Sequence, residues 1–200
     1  MTENVKELKS RGRVGMWLFI STEVLLFGGL FLLYSMYRFK FASDFHASSI
    51  LLSRLFGTLN TCILITSSLS VALSILMLRE DRIKLSLVFL SITIMFAFAF
   101  LAVKGFEWGE KFEHGLYPRA PYLMSRPKGE ELFFGLYFMM TGLHALHVIV
   151  GILVLSFNFV WILRGNLTAK WPVLLVNSGL YWHLVDIIWI FLYPLFYLIT

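Results

Sequence analysis

Apolar residues in this chain run on in long blocks separated by short polar or basic clusters. The blocks predict membrane spans at residues 14–37, 55–78, 85–103, 132–163 and 174–199. Each approaches or exceeds the roughly 20 residues a helix needs to cross a hydrocarbon core about 30 Å thick. They are too long and too continuously apolar for the alternating strands of a barrel. In hydrocarbon every backbone donor and acceptor must be paired within its own segment, which makes helix the expected conformation. The fold class that follows is all-α, a bundle of five transmembrane helices forming a single membrane domain over residues 1–200, with a polar, basic tail at 1–13.

Between the blocks lie residues 38–54, the tight turn Arg79-Glu80-Asp81-Arg82, a long loop at 104–131 carrying Pro118, Pro121 and Pro127, and residues 164–172. Lys and Arg number nine on the side of the N-terminus and eight on the other. Because charge counts mainly in short loops and near span ends, this points to a cytoplasmic N-terminus and, after five spans, a C-terminus outside. The apolar run after residue 13 exceeds a signal-peptide core and has no small-residue cleavage site, so residue 14 onward is expected to be a retained first span.

Composition agrees with lipid as the main solvent. Hydrophobic residues make up 58% of the 200 and charged residues 14%, against about 45–50% and about 25% in soluble domains. Five spans leave no room for a separate soluble domain. The net charge of +5 sits in loops and tails, where it fixes topology and meets lipid headgroups and does not point to nucleic acid. The single Cys62 lies within an apolar run, which excludes a disulfide framework and a cysteine-held iron–sulfur site.

Ionisable groups inside spans cost about 2.5–3.5 kcal/mol each at a helix centre, so each needs a reason. They are Glu23, His144, His147, His183 and Asp186. Glu23, counted from Gly15 at 1.5 Å per residue, sits about 12 Å deep. His144 and His147 are spaced i, i+3 and share a face, as do His183 and Asp186. Such a set is open to several readings. Carboxylate and imidazole on facing helices can hold a metal, and histidines on separate helices can ligate a haem. The set is poor in carboxylates for a di-iron site, and its histidines do not recur on two helices at one spacing. Interhelical hydrogen bonding is therefore the favoured reading, with His183 meeting Asp186, or Glu23 meeting a histidine.

Asn60 and Thr61 are expected to make contacts of the same kind. Thr66, Ser70 and Ser74 offer a small-residue face for close helix approach. Trp17, Trp161, Trp171, Tyr181, Trp182 and Tyr193 are expected as span-end anchors or lipid-facing packing. Pro194 should distort the last span locally. Glu107, Glu110, Glu113 and His114 are read as a solvated loop face rather than a metal cluster. No Gly/Pro-interrupted spans occupy corresponding positions in two halves, which argues against a transporter.

Four stretches, in order, resemble one known family. Gly15-Met16-Trp17 through Ser21-Thr22-Glu23 to Phe27 resembles the glutamate-bearing helix of cytochrome c oxidase subunit III. Leu59-Asn60-Thr61 through Ser67-Ser68, with Asp81-Arg82 after it, resembles that family's next helix and turn. Thr141-Gly142-Leu143-His144-Ala145-Leu146-His147-Val148 resembles its paired-histidine helix, and Tyr181-Trp182-His183-Leu184-Val185-Asp186-Ile187-Ile188-Trp189 its C-terminal signature.

The resemblance implies a subunit of a cytochrome c oxidase complex that carries no redox centre of its own. It implies packing against subunit I, which holds the haem and copper, together with support of proton uptake, phospholipid binding and protection of subunit I from inactivation during turnover. Subunit II and a small extra helical subunit are the further partners implied, in a bacterial inner membrane. Glu23 becomes the buried carboxyl near proton entry, and His144, His147, His183 and Asp186 the polar interior. Arg13 and Arg164 become cations holding lipid phosphates. The long family form has two further helices in front that close a lipid-filled cleft; here they are expected from another chain. The loop at 104–131 is longer and more basic than in that form and offers a docking surface on the outer side. Short members of the family also serve quinol oxidases and accompany nitric oxide reductases. Glu23, and Tyr181-Trp182 before His183, lean toward the cytochrome c branch.

Overall fold

The computed structural model describes residues 2–169 and 172–198, with side chains from residue 14 onward. The polypeptide is helical almost throughout: α1 (Thr2–Lys40), α2 (Ala42–Ile50), α3 (Arg54–Arg79), α4 (Ile83–Glu113), a single turn α5 (Pro121–Met124), α6 (Lys128–Leu163) and α7 (Val173–Tyr197). Five of these, α1 from Val14, α3, α4, α6 and α7, are long and apolar enough to cross a membrane. This is the five-helix all-α architecture that the apolar blocks predict.

Helices α3, α4, α6 and α7 close a ring in which each packs on two neighbours, and α1 lies along the outer seam of α6 and α7. The core between them is aromatic. Trp182, Trp189 and Phe196 of α7, Phe100 of α4 and Tyr137 of α6 are all fully buried, and Phe100 meets Trp189 edge-on with ring centroids 4.9 Å apart. Trp182 packs directly over the backbone of α6 because position 151 is glycine. A Cβ there would stand 2.6 Å from Trp182 Cζ3, well inside van der Waals contact.

The α3–α4 pair is the most intimate. Ser74 and Ser86 each donate to the other's carbonyl at 2.9 Å, and Ser70 donates to the Phe89 carbonyl at 2.7 Å. Hydroxyls this small let the backbones approach while pairing polar groups that lipid cannot satisfy. The expected small-residue face is offset, however. Thr66 is exposed and bonds only to Cys62 of its own helix, while Ser67 joins Ser70 and Ser74 inside. The turn to α4 is a Schellman closure, with Asp81 at φ 60° and the Arg82 N–H donating to the Met77 carbonyl at 2.9 Å.

Two expectations change. Residues 104–113 are not loop: α4 continues through them to Glu113 and turns Lys104, Glu107 and Lys111 inward. Residues 42–50 form α2, which lies under α6 and buries Phe45. The basic tail is helical from Thr2. The side chain of Arg13, and Trp171 entirely, lie outside the described residues.

Candidate functional site: the polar interior of the bundle

Glu23 of α1 meets His147 of α6. Glu23 Oε2 lies 2.9 Å from His147 Nε2, with both side chains largely buried. The tautomer follows from the other ring nitrogen. His147 Nδ1 is 2.7 Å from the Leu143 carbonyl oxygen, which only accepts, so Nδ1 carries hydrogen. One proton then lies between Nε2 and the carboxyl, held either as Glu–COOH with neutral imidazole or as carboxylate with imidazolium. Both forms are neutral overall, so moving that proton across the pair changes no net charge in the membrane. Phe27 meets the imidazole edge-on, and the Tyr181 hydroxyl donates to the His147 carbonyl at 2.9 Å. The pair opens onto a cavity of about 220 Å³ walled by Phe19, Leu146, Val150 and Tyr181.

His144, one turn earlier, does not share this site. Three residues at about 100° each leave the two rings roughly 60° apart around α6, enough to send His147 toward α1 and His144 into the core. There it is fully buried beside Phe100 and Trp189, and neither of its nitrogens has a hydrogen-bond partner among the described residues.

His183 and Asp186 do not pair. His183 Nδ1 shares a hydrogen bond with Ser68 Oγ of α3 at 2.6 Å. Asp186 is 4% exposed, yet neither carboxylate oxygen has a hydrogen-bond partner among the described residues. The Ser68 hydroxyl lies beside that carboxyl but outside hydrogen-bond geometry. Residues three apart on a helix are near, but side chains drawn to a neighbouring helix need not touch. Thr61 does make an interhelical contact, accepting from Trp189 Nε1 at 3.1 Å, whereas the buried Asn60 side chain has no partner among the described residues. Trp182 is not an anchor: it is fully buried and donates from Nε1 to Ser67 Oγ at 3.1 Å. Tyr181 is likewise inside. Arg164 caps α6 and is exposed.

The most complete polar cluster lies where the sequence suggested loop. Lys104 Nζ donates to Glu107 Oε2 at 2.9 Å, to Tyr137 Oη at 2.9 Å and to Tyr197 Oη at 2.7 Å, which uses all three N–H groups. The Tyr197 hydroxyl donates onward to Glu107 at 2.7 Å from Oε1. The ammonium also stands 4.7 Å from the Tyr137 ring centroid. Lys104 and Glu107 are 2% and 0% exposed, so this charge pair survives burial by satisfying itself and tying α4, α6 and α7 together. The sequence signal was Lys-x-x-Glu at helical spacing directly after an apolar block. It is read correctly only if the helix continues.

No three His, Cys, Asp or Glu side chains among the described residues converge as a metal site. Of the span histidines, His147 has both nitrogens engaged, His144 is enclosed by aromatic rings, and His183 is hydrogen-bonded through Nδ1.

Five membrane-length helices enclosing neutralised acid–base pairs define a multi-pass helical membrane protein with a polar interior and an unbroken aromatic core. The chain belongs to the cytochrome c oxidase subunit III family, whose model matches residues 3–200. It is 34% identical over 197 residues to a heme-copper oxidase subunit I+III of Aeropyrum pernix, a match that covers 96% of this chain and 23% of that much longer protein. It is 26% identical over 190 residues to the cytochrome bo(3) ubiquinol oxidase subunit 3 of Buchnera aphidicola, covering 92% and 84% of the two chains. To the cytochrome c oxidase subunit 3 of Thermostichus vulcanus it is 29% identical over 189 residues, covering 94% and 87%.

Proposed function

We propose that this chain is the non-catalytic third core subunit of a haem-copper terminal oxidase, working in aerobic respiration beside subunits I and II. Haem and copper belong to subunit I in this reading. The observation that carries it is the Glu23–His147 pair, 2.9 Å apart at the α1–α6 seam. A carboxyl that shares one proton with an imidazole, beside a cavity, stores a proton at no net charge and suits a chain that supports proton uptake by a neighbour. With the N-terminus in the cytoplasm of a bacterial inner membrane, this pair sits on the uptake side.

A groove of about 260 Å³ along α1, α6 and α7, lined by Met16, Phe19, Val150 and Val154, supports the lipid role. Its exposed walls are predominantly apolar, which suits an acyl chain. Arg13, three residues before Met16, and Arg164 at the end of α6 are the cations proposed to hold phosphates of phospholipids. A small additional helical subunit is a further proposed partner.

Cytochrome c is the electron donor in this reading, and quinol is the second reading. The named relatives include a ubiquinol oxidase subunit as well as a cytochrome c oxidase subunit. The test is mild-detergent purification on a tagged chain, with an optical spectrum and mass identification of what accompanies it. Subunit I in the eluate, with haem absorbance that disappears once this chain is isolated, supports the accessory role, and the companion subunits identify the donor. Haem retained by the isolated chain overturns it.

A further inference from the structure

The α3–α7 face carries a feature that the proton pair and lipid groove leave unused. Ser68, His183 and Asp186 line a pocket of about 420 Å³ on the outer surface of the bundle, with Ile65, Leu69 and Ile187 forming its walls. The wall residues are 54%, 61% and 50% exposed. Asp186 at the base is 4% exposed, with neither carboxylate oxygen hydrogen-bonded among the described residues. The nearby Ser68 hydroxyl is shared with His183.

The depth of this carboxyl restricts what can meet it. Asp186 lies near the middle of α7, about 20 Å along the axis from Val173 and about 16 Å from Tyr197 at 1.5 Å per residue. Phospholipid headgroups stay at the interfaces of a hydrocarbon core about 30 Å thick, and acyl chains have no hydrogen-bond donor. A carboxyl left unpaired in such surroundings is costly whether or not it is protonated. The missing complement is a hydrogen-bond donor carried on an apolar surface at mid-membrane depth, and the protein element that provides this is a transmembrane helix.

We infer that the α3–α7 groove is the seat of a transmembrane helix from a different chain, which brings an Asn, Gln, Ser, Thr, Arg or Lys side chain to Asp186. Exposed apolar walls pack its flanks and the single carboxyl fixes its register, as one buried polar contact does between helices in lipid. The inference adds a location to the partnership proposed above. It needs a partner chain in the same membrane, but not that this chain carry haem.

The test is photocrosslinking in intact membranes that contain the assembled complex, from benzoylphenylalanine introduced at Ala72, an exposed residue lining the groove. A control uses the same group at Leu153, which is 65% exposed on α6. The expected result is a polypeptide adduct from Ala72 alone, mapped by mass spectrometry to a membrane-spanning peptide of another chain with a donor residue. Asp186→Leu should lower its yield at least tenfold, while Asp186→Asn, which keeps an acceptor, should largely preserve it. Equal amounts of each variant in the membrane, with matching helical circular dichroism after purification, rule out misfolding as the cause. Lipid adducts only, adducts to a second copy of this chain, or a yield unchanged by Asp186→Leu would each overturn the inference. A mapped adduct to a helix of a complex that contains no haem would uphold the groove while counting against the oxidase reading.

Discussion

Glu107 and Asp186 are both acids almost wholly withdrawn from solvent, at 0% and 4% exposure, and their surroundings are opposite. Glu107 stands where α4, α6 and α7 meet, and accepts from Lys104 and Tyr197. Asp186 stands at the base of a groove between α3 and α7 and accepts from no group among the described residues. The first acid is completed by its own chain and acts as a tie. The second is buried without being completed by its own chain, and it lines a groove open at the bundle surface. Apolar character alone would not separate these regions, because both lie on helices of membrane length.

The largest loss is expected where the Lys104–Glu107 tie is cut on one side. Glu107→Ala leaves a buried ammonium without its counter-charge and is expected to cost about 3–5 kcal/mol, read as a large loss of thermal stability in the purified protein. Replacing both partners, with Lys104→Met and Glu107→Leu together, should recover most of that loss, since an apolar pair of similar volume leaves no charge stranded. A double variant as unstable as the single one would show that the tie does more than satisfy itself.

Next in size is the packing that holds α7 in place. Gly151→Ala forces a Cβ to within 2.6 Å of Trp182 and should cost about 1–3 kcal/mol through overpacking, with a shift in tryptophan emission as Trp182 moves. Around Asp186 the expected effects are smaller and unequal. Ser68→Ala removes the hydrogen bond of His183 and should cost about 1 kcal/mol. Asp186→Asn removes no hydrogen bond within the chain and should stay within about 0.5 kcal/mol in protein freed of partners. Asp186→Asn proving more destabilising than Ser68→Ala would erase the contrast with Glu107.

Glu23→Gln is expected to have the smallest effect on stability, because an amide still bonds to His147 Nε2. It cannot exchange a proton with the ring, so the infrared carbonyl or carboxylate signal assigned to Glu23 should vanish while the melting temperature holds. A large stability loss would make Glu23 a structural tie like Glu107.

Several polar assignments were legible as residues and not as partnerships. Glu23 and the histidines stood out because ionisable groups are rare in apolar blocks. The expectation that Glu23 meets a histidine names the same type of contact as the observed pair, but which histidine depends on the rotation of α6. His183 bonds to Ser68 of α3 and not to Asp186, a partnership set by which helix stands beside α7. Lys104 and Glu107 were hidden for a different reason. The apolar block ended at Val103, and only the packing of α6 and α7 beside residues 104–113 gives a lysine and a glutamate reason to remain buried.

The sequence by itself determined the membrane-length helices and their order, because lipid forces each backbone segment to satisfy its own hydrogen bonds and apolar length registers that demand locally. It also determined which side chains carry exceptional chemistry. The tertiary structure alone decided which of those side chains are paired, how far α4 continues past its apolar block, and which buried acid is left incomplete. Those outcomes depend on which helices stand side by side and at what rotation, and contacts between residues more than a hundred positions apart leave no mark in the local pattern.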